Sequence, residues 1–261
     1  MEKDRLLYTI CYIDVETTGL DEDVHEITEI GAIRVNYPRD FFDGGEPEEV
    51  SRLSVKVKIK GVVDPSAGYL NHFDSEVWAT EGVELHEAMY KLFPLIKEAN
   101  LGGWNVDFDR RRIWNAFRRF NWQWPSGTGH RLLDVQSLAR PFIAAYFREE
   151  RHLRKIRLEE VARAMKLVDR ENEDQLHSAL FDCELAWKIN DLLAHAYYRG
   201  TLETGLITLP SQSATPLPVE NVPDPSAPPP VENVPDPSAP PDRDTLASGL
   251  TPVVGKPATL P

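Results

Sequence analysis

The stretch Leu6–Val15 is the most apolar in the chain, and it runs directly into two carboxylates. Its sequence, LLYTICYIDV, is typical of a strand buried on both faces of a sheet. Side chains alternate between the faces of a strand, so we expect Asp14 and Glu16 on the same face. Two carboxylates in that position repel each other, and desolvation raises the cost further. Something must compensate them: a bound metal ion, a nearby Arg or Lys, or a helix that they cap.

The remaining hydrophobic pattern predicts a mixed sheet covered by helices. Short apolar or alternating runs indicate four more strands. Stripes at helical spacing indicate helices, and strands followed by alternating helices and short strands favour an α/β fold. The predicted strands are Leu6–Val15, Ile27–Val35, Leu53–Ile59, Leu101–Trp104 and Arg131–Val135, and the helical stripes lie in 85–96, 113–120, 158–165 and 180–194.

Proline divides the chain into two regions. Of its 21 prolines, 15 lie in 210–261, which holds no aromatic residue and repeats PVENVPDPSAPP at 218–229 and 230–241. Such a segment cannot bury enough apolar surface to offset the entropy of ordering it. We therefore predict a folded domain over 1–209 and a disordered, locally polyproline tail over 210–261, serving as a spacer rather than a docking motif.

Charge and cysteine content exclude some classes of protein. With 42 acidic and 29 basic residues the formal net charge is −13, which excludes a histone-like or duplex-coating protein but not an enzyme that grips a few nucleotides. Cys11 and Cys183 form neither a disulfide framework nor a zinc motif, which favours a reducing cytoplasm. We expect no signal peptide and no membrane span, because no apolar run is long enough for either.

Two more acidic positions resist an ordinary structural explanation. Asp109 follows a short strand at the start of a helix, where the helix dipole favours a negative charge, but Asp107 could meet that need equally well. Asp182 lies near the apolar side of the last predicted helix, where an aspartate is costly unless it is paired or bound to metal. His177 precedes it by five residues, and by itself it is better explained as a cap or a surface residue.

Together these residues predict a metal site. Four carboxylates without a cysteine form the all-oxygen ligand set that Mg²⁺ or Mn²⁺ prefers. Two such ions about 3.5–4 Å apart are a known device for cleaving a phosphodiester, one activating water and the other steadying the leaving oxygen. A neutral imidazole at His177 could take the proton of that water.

Three motifs resemble those of a known enzyme family. DVETTGL (14–20), NVDFD (105–109) and HSALFD (177–182) are similar to the three exonuclease motifs of the DnaQ-like 3′–5′ exonucleases of the DEDDh subgroup, in order and at family-like spacing over about residues 5–198. The resemblance implies a ribonuclease H-like α/β fold: a five-stranded mixed sheet flanked by helices, with the second strand antiparallel to the rest. Trp104 departs from the histidine that many relatives carry there, which affects substrate detail rather than catalysis.

The resemblance also assigns roles to individual residues. Asp14 would bridge two Mg²⁺ or Mn²⁺ ions, Glu16 and Asp182 would hold the ion that activates water, and Asp109 would help to hold the other. His177 would act as the general base. The residues implied to contact the terminal nucleotide are Thr17, Thr18 and Leu20, together with backbone groups near Gly19.

Basic and aromatic clusters leave two interpretations open. The first basic cluster is Arg110, Arg111, Arg112, Arg118 and Arg119, and the second is Arg148, Arg151, Arg154, Lys155 and Arg157. Each could follow the phosphates of a single strand, or could be a solvated helix face paired with nearby glutamates. Trp122 and Trp124 could stack on bases, although sealing the edge of the core is the interpretation that we favour.

These features predict a metal-dependent hydrolase that removes nucleoside 5′-monophosphates from the 3′ end of single-stranded DNA, in DNA repair or proofreading. An exoribonuclease acting on RNA ends or short oligoribonucleotides is the alternative, because the chemistry is shared. A third hypothesis is an inert nuclease fold that recruits a partner through its tail, which the intact set of five site residues argues against. A polymerase partner is possible, and nothing predicts a membrane partner.

Overall fold

A five-stranded sheet organises the residues that the structure, a computed structural model, describes: 6–129, 131–146 and 157–199. The strands are β1 (Leu6–Thr17), β2 (Ile27–Pro38), β3 (Glu48–Lys56), β4 (Asn100–Gly103) and β5 (Leu132–Asp134). The helices are α1 (Pro65–Leu70), α2 (Ser75–Glu81), α3 (Leu85–Ile96), α4 (Val106–Arg119), α5 (Val135–Tyr146), α6 (Leu158–Ala164) and α7 (Ala179–Arg199).

The strand order is β3-β2-β1-β4-β5. Strand β2 runs antiparallel to both β1 and β3, whereas β4 is parallel to β1 and β5 is parallel to β4. Strand β2 is therefore antiparallel to the rest of the sheet. This topology confirms the predicted ribonuclease H-like α/β fold, a five-stranded mixed sheet flanked by helices.

Each face of the sheet has its own hydrophobic core. Alternation along β1 directs Ile10 and Tyr12 to the face covered by α5, α6 and α7, and Cys11, Ile13 and Val15 to the face covered by α3 and α4. Asp14 and Glu16 have the same parity as Ile10 and Tyr12, so both carboxylates lie on the α7 side of the sheet, as the period of two predicts.

Strand β3 differs from its predicted bounds. It begins at Glu48 and ends at Lys56, rather than spanning Leu53–Ile59. Its outer half, EEVSR, alternates between exposed and half-buried side chains, since β3 is an edge strand with a single neighbour. Polar side chains on an edge give no hydrophobic period, so the pattern could not reveal where this strand begins.

Three helices were not predicted. Helices α1 and α2 are only six and seven residues long, too short for a clear stripe. Helix α5 contains Pro141, and a proline in the sequence indicates a break in a helix.

The predicted tail, 210–261, lies outside the described residues, as do four members of the second basic cluster. Within the described ranges, no helix combines the length and the apolar character needed to cross a membrane.

Candidate active site

Strand β1 extends beyond its pairing with the parallel strand β4, and the site forms at the end of β1 that lies past this pairing. The β1–β4 register covers only Ile10 to Tyr12, so the backbone of Val15 lies beyond the ladder. Its N–H donates instead to Oδ1 of Asp109 at 3.0 Å. Asp109 is only 3% exposed, and this bond fixes its carboxylate against the end of β1. The α4 acid is therefore positioned by a backbone group that the sheet leaves without a strand partner.

Three of the four predicted ligands meet in one cluster. A carboxylate oxygen from each of Asp14, Glu16 and Asp182 lies within 4.8 Å of the others. Asp109 is not a member of this cluster, although it lies close enough for its charge to raise the pKa of Asp14. The structure thus brings the β1 and α7 carboxylates together and places the α4 carboxylate beside them.

A close backbone contact between α7 and β2 makes this cluster possible. Gly31 of β2 pairs with Asp14 across the sheet. A Cβ atom at Gly31 would lie 2.3 Å from the carbonyl of Ala179, the first residue of α7. Only glycine therefore allows the start of α7 to reach the sheet, and this approach brings Asp182 to the end of β1.

Glu29 is a fifth acid that the sequence analysis missed. It lies opposite Glu16 in the β1–β2 register, is buried, and lies near the backbone N–H of Ala179. Burial raises the pKa of Glu29, while Lys56 and this N–H oppose the rise. A signal was present in the sequence, since Glu29 shares the parity of Gly31, Ile33 and Val35, a face that is otherwise glycine and apolar residues.

All three carboxyl groups of the cluster have raised pKa values. Burial raises the pKa of Asp14 well above its usual range, and the charges of Asp109, Glu16 and Asp182 add to the rise. Burial likewise raises the pKa of Glu16 to about 9, with further contributions from its acidic neighbours. It also raises the pKa of Asp182 to about 7, and the charge of Glu159 adds to the effect. Each of these groups would ionise more readily beside a cation.

His177 occupies a left-handed backbone position just before α7. Its φ of 63° is unusual for a residue with a side chain. Its backbone N–H lies near enough to Asp182 to oppose the rise in the pKa of that carboxyl, so the histidine backbone borders a cluster member. Burial lowers the pKa of the His177 imidazole, which is therefore neutral at pH 7, while the charge of Glu159 opposes the shift. A neutral imidazole can accept a proton.

A cavity of about 430 Å³ opens beside the cluster, within the size range of small-molecule sites. Of the predicted nucleotide-contacting residues, Thr17, Gly19 and Leu20 line it, and Leu20 is largely exposed. Thr18 is buried outside the lining, where its hydroxyl accepts a hydrogen bond from the N–H of Glu26. Further lining residues that the motifs did not indicate are Asp64, Ser66, Ala67, Leu70 and Asn71, at or beside α1, together with Asp21 and His25 between β1 and β2.

Residues 110–112 of the first basic cluster contact other groups of the protein. Arg110 pairs with Asp107 at 2.7 Å, Arg111 pairs with Glu22 at 3.2 Å, and Arg112 is buried. This part of the cluster matches the paired-helix interpretation rather than a track for phosphates. Trp122 and Trp124 pack against the core on the α4 side of the sheet, as the favoured interpretation predicted.

The fold and the acidic cluster together define a nuclease-like α/β domain, and comparison with known proteins names the family. The exonuclease family model RNase_T matches residues 11–189, more than half of the chain. The chain therefore belongs to the DnaQ-like 3′–5′ exonuclease family, which confirms the predicted family. No curated protein sequence matches the chain significantly.

Solved structures with a similar fold include exonuclease I from two bacteria. The chain is 16% identical to exonuclease I of Methylocaldum szegediense, with a TM-score of 0.55 over 75% of this chain and 42% of that one. It is 19% identical to Escherichia coli exonuclease I in complex with a dT13 oligonucleotide, with a TM-score of 0.53 over 71% of this chain and 41% of that one. The chain thus spans about two fifths of the length of these proteins, and at such identities the likeness shows the fold.

Gly31→Ala is expected to disturb the carboxylate cluster without changing any of its members. The new methyl group would meet the backbone of Ala179 at 2.3 Å, so the start of α7 must shift and carry Asp182 with it. We expect a loss of stability of about 1–3 kcal/mol, the usual cost of overpacking, together with weaker Mn²⁺ binding by calorimetry.

Gly68→Ala is the matched control, because the added atom meets only the side chain of Val63, at 3.1 Å. It should leave Mn²⁺ affinity unchanged. Equal Mn²⁺ affinity in Gly31→Ala and the wild type would contradict the positioning role of this glycine.

Proposed function

We propose that this protein is a Mg²⁺- or Mn²⁺-dependent 3′–5′ exonuclease that hydrolyses the terminal phosphodiester of single-stranded DNA and releases nucleoside 5′-monophosphates. The observation that carries the proposal is the cluster of Asp14, Glu16 and Asp182 beside a cavity large enough for one nucleotide. Escherichia coli exonuclease I, which shares the fold, has been crystallised with single-stranded oligonucleotides, and this supports DNA as the substrate class.

The donor set fits divalent metal ions. Every candidate ligand atom is a carboxylate oxygen, and the acids have raised pKa values because burial and mutual repulsion disfavour their charges. Asp14 would hold both ions, Glu16 and Asp182 one of them, and Asp109 the other. Bound ions of this kind polarise the phosphoryl group and lower the pKa of coordinated water.

The protein's own side chains supply the remaining chemistry. His177 takes the proton of the attacking water, because its imidazole is half-buried and neutral at pH 7. Leu20 and Phe108 give the cavity an apolar surface for the terminal nucleoside. Thr17, which directly follows Glu16 in the chain, also lines the cavity. Thr18 supports the wall of the cavity from within, since its hydroxyl pairs with Nδ1 of His25 at 3.1 Å.

A cleavage assay on matched single strands tests the proposal. A 5′-fluorescein-labelled DNA strand and its RNA counterpart are incubated with Mg²⁺, with Mn²⁺, or with EDTA. The expected result is stepwise shortening of the DNA from its 3′ end, only with metal, with nucleoside 5′-monophosphates identified by chromatography. An inverted 3′-terminal nucleotide should block the reaction.

The same assay separates the alternatives. Faster shortening of RNA would assign the enzyme to exoribonucleases, and internal cleavage products would contradict an exonuclease. Absence of cleavage with either metal on either strand would favour the inert adaptor. A polymerase partner and a cytoplasmic location remain predictions from the sequence.

A further inference from the structure

Arg112 is the buried member of a run of three arginines in α4. It is 3% exposed, whereas the side chains of Arg110 and Arg111 are 32% and 50% exposed. A buried guanidinium is costly unless its donors are satisfied. Its Nε has no hydrogen-bond partner among the described residues, whereas both terminal nitrogens bind a single short segment, the loop of residues 19–25 between β1 and β2.

The two terminal nitrogens of Arg112 donate to four backbone carbonyls of that loop. Nη2 donates to Gly19 and Leu20 at 3.0 and 2.6 Å, and Nη1 donates to Asp21 and His25 at 3.1 and 3.2 Å. One planar side chain therefore holds both ends of the loop. A lysine ammonium is a single point with three donors and cannot reproduce this forked arrangement.

The loop held by Arg112 forms one wall of the nucleotide cavity. The four residues whose carbonyls it binds, Gly19, Leu20, Asp21 and His25, all line the cavity. The loop also closes on itself, because the N–H of His25 donates to the carbonyl of Asp21 at 2.9 Å. A shift of this segment would therefore move the whole wall rather than one side chain.

Helix α4 joins this wall to the metal site. Asp109 lies one turn before Arg112 and binds the end of β1 through Val15. Phe108, the neighbour of Asp109, lines the cavity and lies 4.9 Å beneath the Arg112 guanidinium. Consecutive turns of one helix thus contact the metal site and the cavity wall.

We infer that Arg112 is a positioning residue that fixes the nucleotide-binding loop 19–25 relative to the metal site, so that the 3′-terminal nucleotide is held with its phosphate at the carboxylate cluster. The inference rests on the proposed function and adds a residue that the three motifs do not include. Glu22 of the loop also contacts Arg111 and Asn115 of α4. Loss of the Arg112 contacts should therefore loosen the loop rather than release it.

Arg34 provides a matched control for a purely structural effect. Its guanidinium also donates to backbone carbonyls, those of Leu95 and Lys97, at 2.7 and 2.8 Å. These carbonyls lie at the end of α3, and Arg34 does not line the cavity. Arg34→Lys therefore breaks the same kind of contact without touching the nucleotide loop.

The test compares Arg112→Lys, Arg34→Lys and the wild type on two chromogenic esters with Mn²⁺. The p-nitrophenyl ester of thymidine 5′-phosphate needs the nucleotide cavity, whereas bis(p-nitrophenyl) phosphate carries no nucleoside. For Arg112→Lys we expect KM for the nucleotide ester to rise by about tenfold or more, because small misplacements of a bound substrate are costly. Hydrolysis of bis(p-nitrophenyl) phosphate and Mn²⁺ affinity should stay within about twofold of the wild type. Arg34→Lys should lower the thermal midpoint and leave the ratio of the two activities unchanged.

Equal losses on both esters in Arg112→Lys, or the same selective loss in Arg34→Lys, would overturn the inference. Hydrogen exchange of the 18–26 backbone amides and calorimetric binding of thymidine 5′-monophosphate provide readouts independent of turnover. Faster exchange and weaker binding in Arg112→Lys support the positioning role, and unchanged values refute it. If the wild type hydrolyses neither ester nor any oligonucleotide, the proposed function fails. Hydrogen exchange and the binding of thymidine 5′-monophosphate still decide the role of Arg112 in that case.

Discussion

Asp14→Asn is expected to reduce exonuclease activity by more than about 10³-fold while leaving the protein folded. Asp14 is the one cluster member assigned to both metal ions, so its loss affects both. Replacing even an outer-shell partner of a metal ligand costs about 10–100-fold, and a shared ligand should cost more. Initial rates on a single-stranded oligonucleotide at saturating Mg²⁺ measure the effect, and Mn²⁺ calorimetry should show weaker binding.

Removing this charge should also stabilise the metal-free protein at neutral and alkaline pH. The folded-state pKa values of Glu16, about 9, and Asp182, about 7, lie above ordinary values, so the folded state holds their protons more tightly than the unfolded state. Their contribution to stability is therefore full below about pH 4 and is lost as pH rises through 7 and 9. Burial and the charges of its acidic neighbours also raise the pKa of Asp14 well above its usual range, so the free-energy cost of keeping this carboxyl protonated in the folded state grows as pH rises. Asparagine does not ionise and has no such cost. We therefore expect the thermal midpoint of Asp14→Asn in EDTA to exceed that of the wild type increasingly between pH 6 and pH 9.

Asp107→Asn is the control, because Asp107 is an exposed acid of α4 that pairs with Arg110 and Arg111. It should keep wild-type turnover and Mn²⁺ affinity. Turnover of Asp14→Asn close to that of the wild type would exclude the assigned metal site.

The acidic cluster could be predicted because its members interrupt apolar elements. Asp14 and Glu16 end the most hydrophobic strand, and Asp182 lies on the half-buried side of α7, so each position is costly without a compensating cation. Period-two alternation then predicted that Asp14 and Glu16 share one face of the sheet, as they do. The fold followed from the order of the elements together with the resemblance of three motifs, and the strand order in the structure agrees with it.

Other parts of the site depend on contacts that no local pattern records. The need for glycine at position 31 arises from the approach of Ala179, which is 148 residues later in the chain. The cavity wall formed by α1 could not be predicted, because a helix of six residues shows no full stripe. Arg112 was read as one of a basic cluster, and only the burial of its guanidinium distinguishes it from Arg110 and Arg111.

His177→Asn is expected to slow turnover by about 10²–10⁴-fold, the usual cost of losing a positioned general base. Asparagine is preferable to alanine here, because residue 177 has a φ of 63° and asparagine tolerates the left-handed region. Its amide cannot accept the proton of water at neutral pH. Metal affinity, followed by Mn²⁺ titration, should change little, since the imidazole is assigned to the proton and not to the ion.

The dependence on pH distinguishes a base from a ligand. Burial lowers the pKa of His177 below its usual value of 6.5, so wild-type turnover should fall only as pH drops through that lowered pKa. The deficit of His177→Asn should shrink as pH rises, because hydroxide then replaces the water that the imidazole would deprotonate. Asp182→Asn, which removes a ligand charge but keeps the size of the side chain, should instead bind Mn²⁺ much more weakly at every pH. If His177→Asn weakens Mn²⁺ binding as severely as Asp182→Asn and shows no recovery at high pH, the histidine is a ligand or a structural support, and the division of roles between these two residues is wrong.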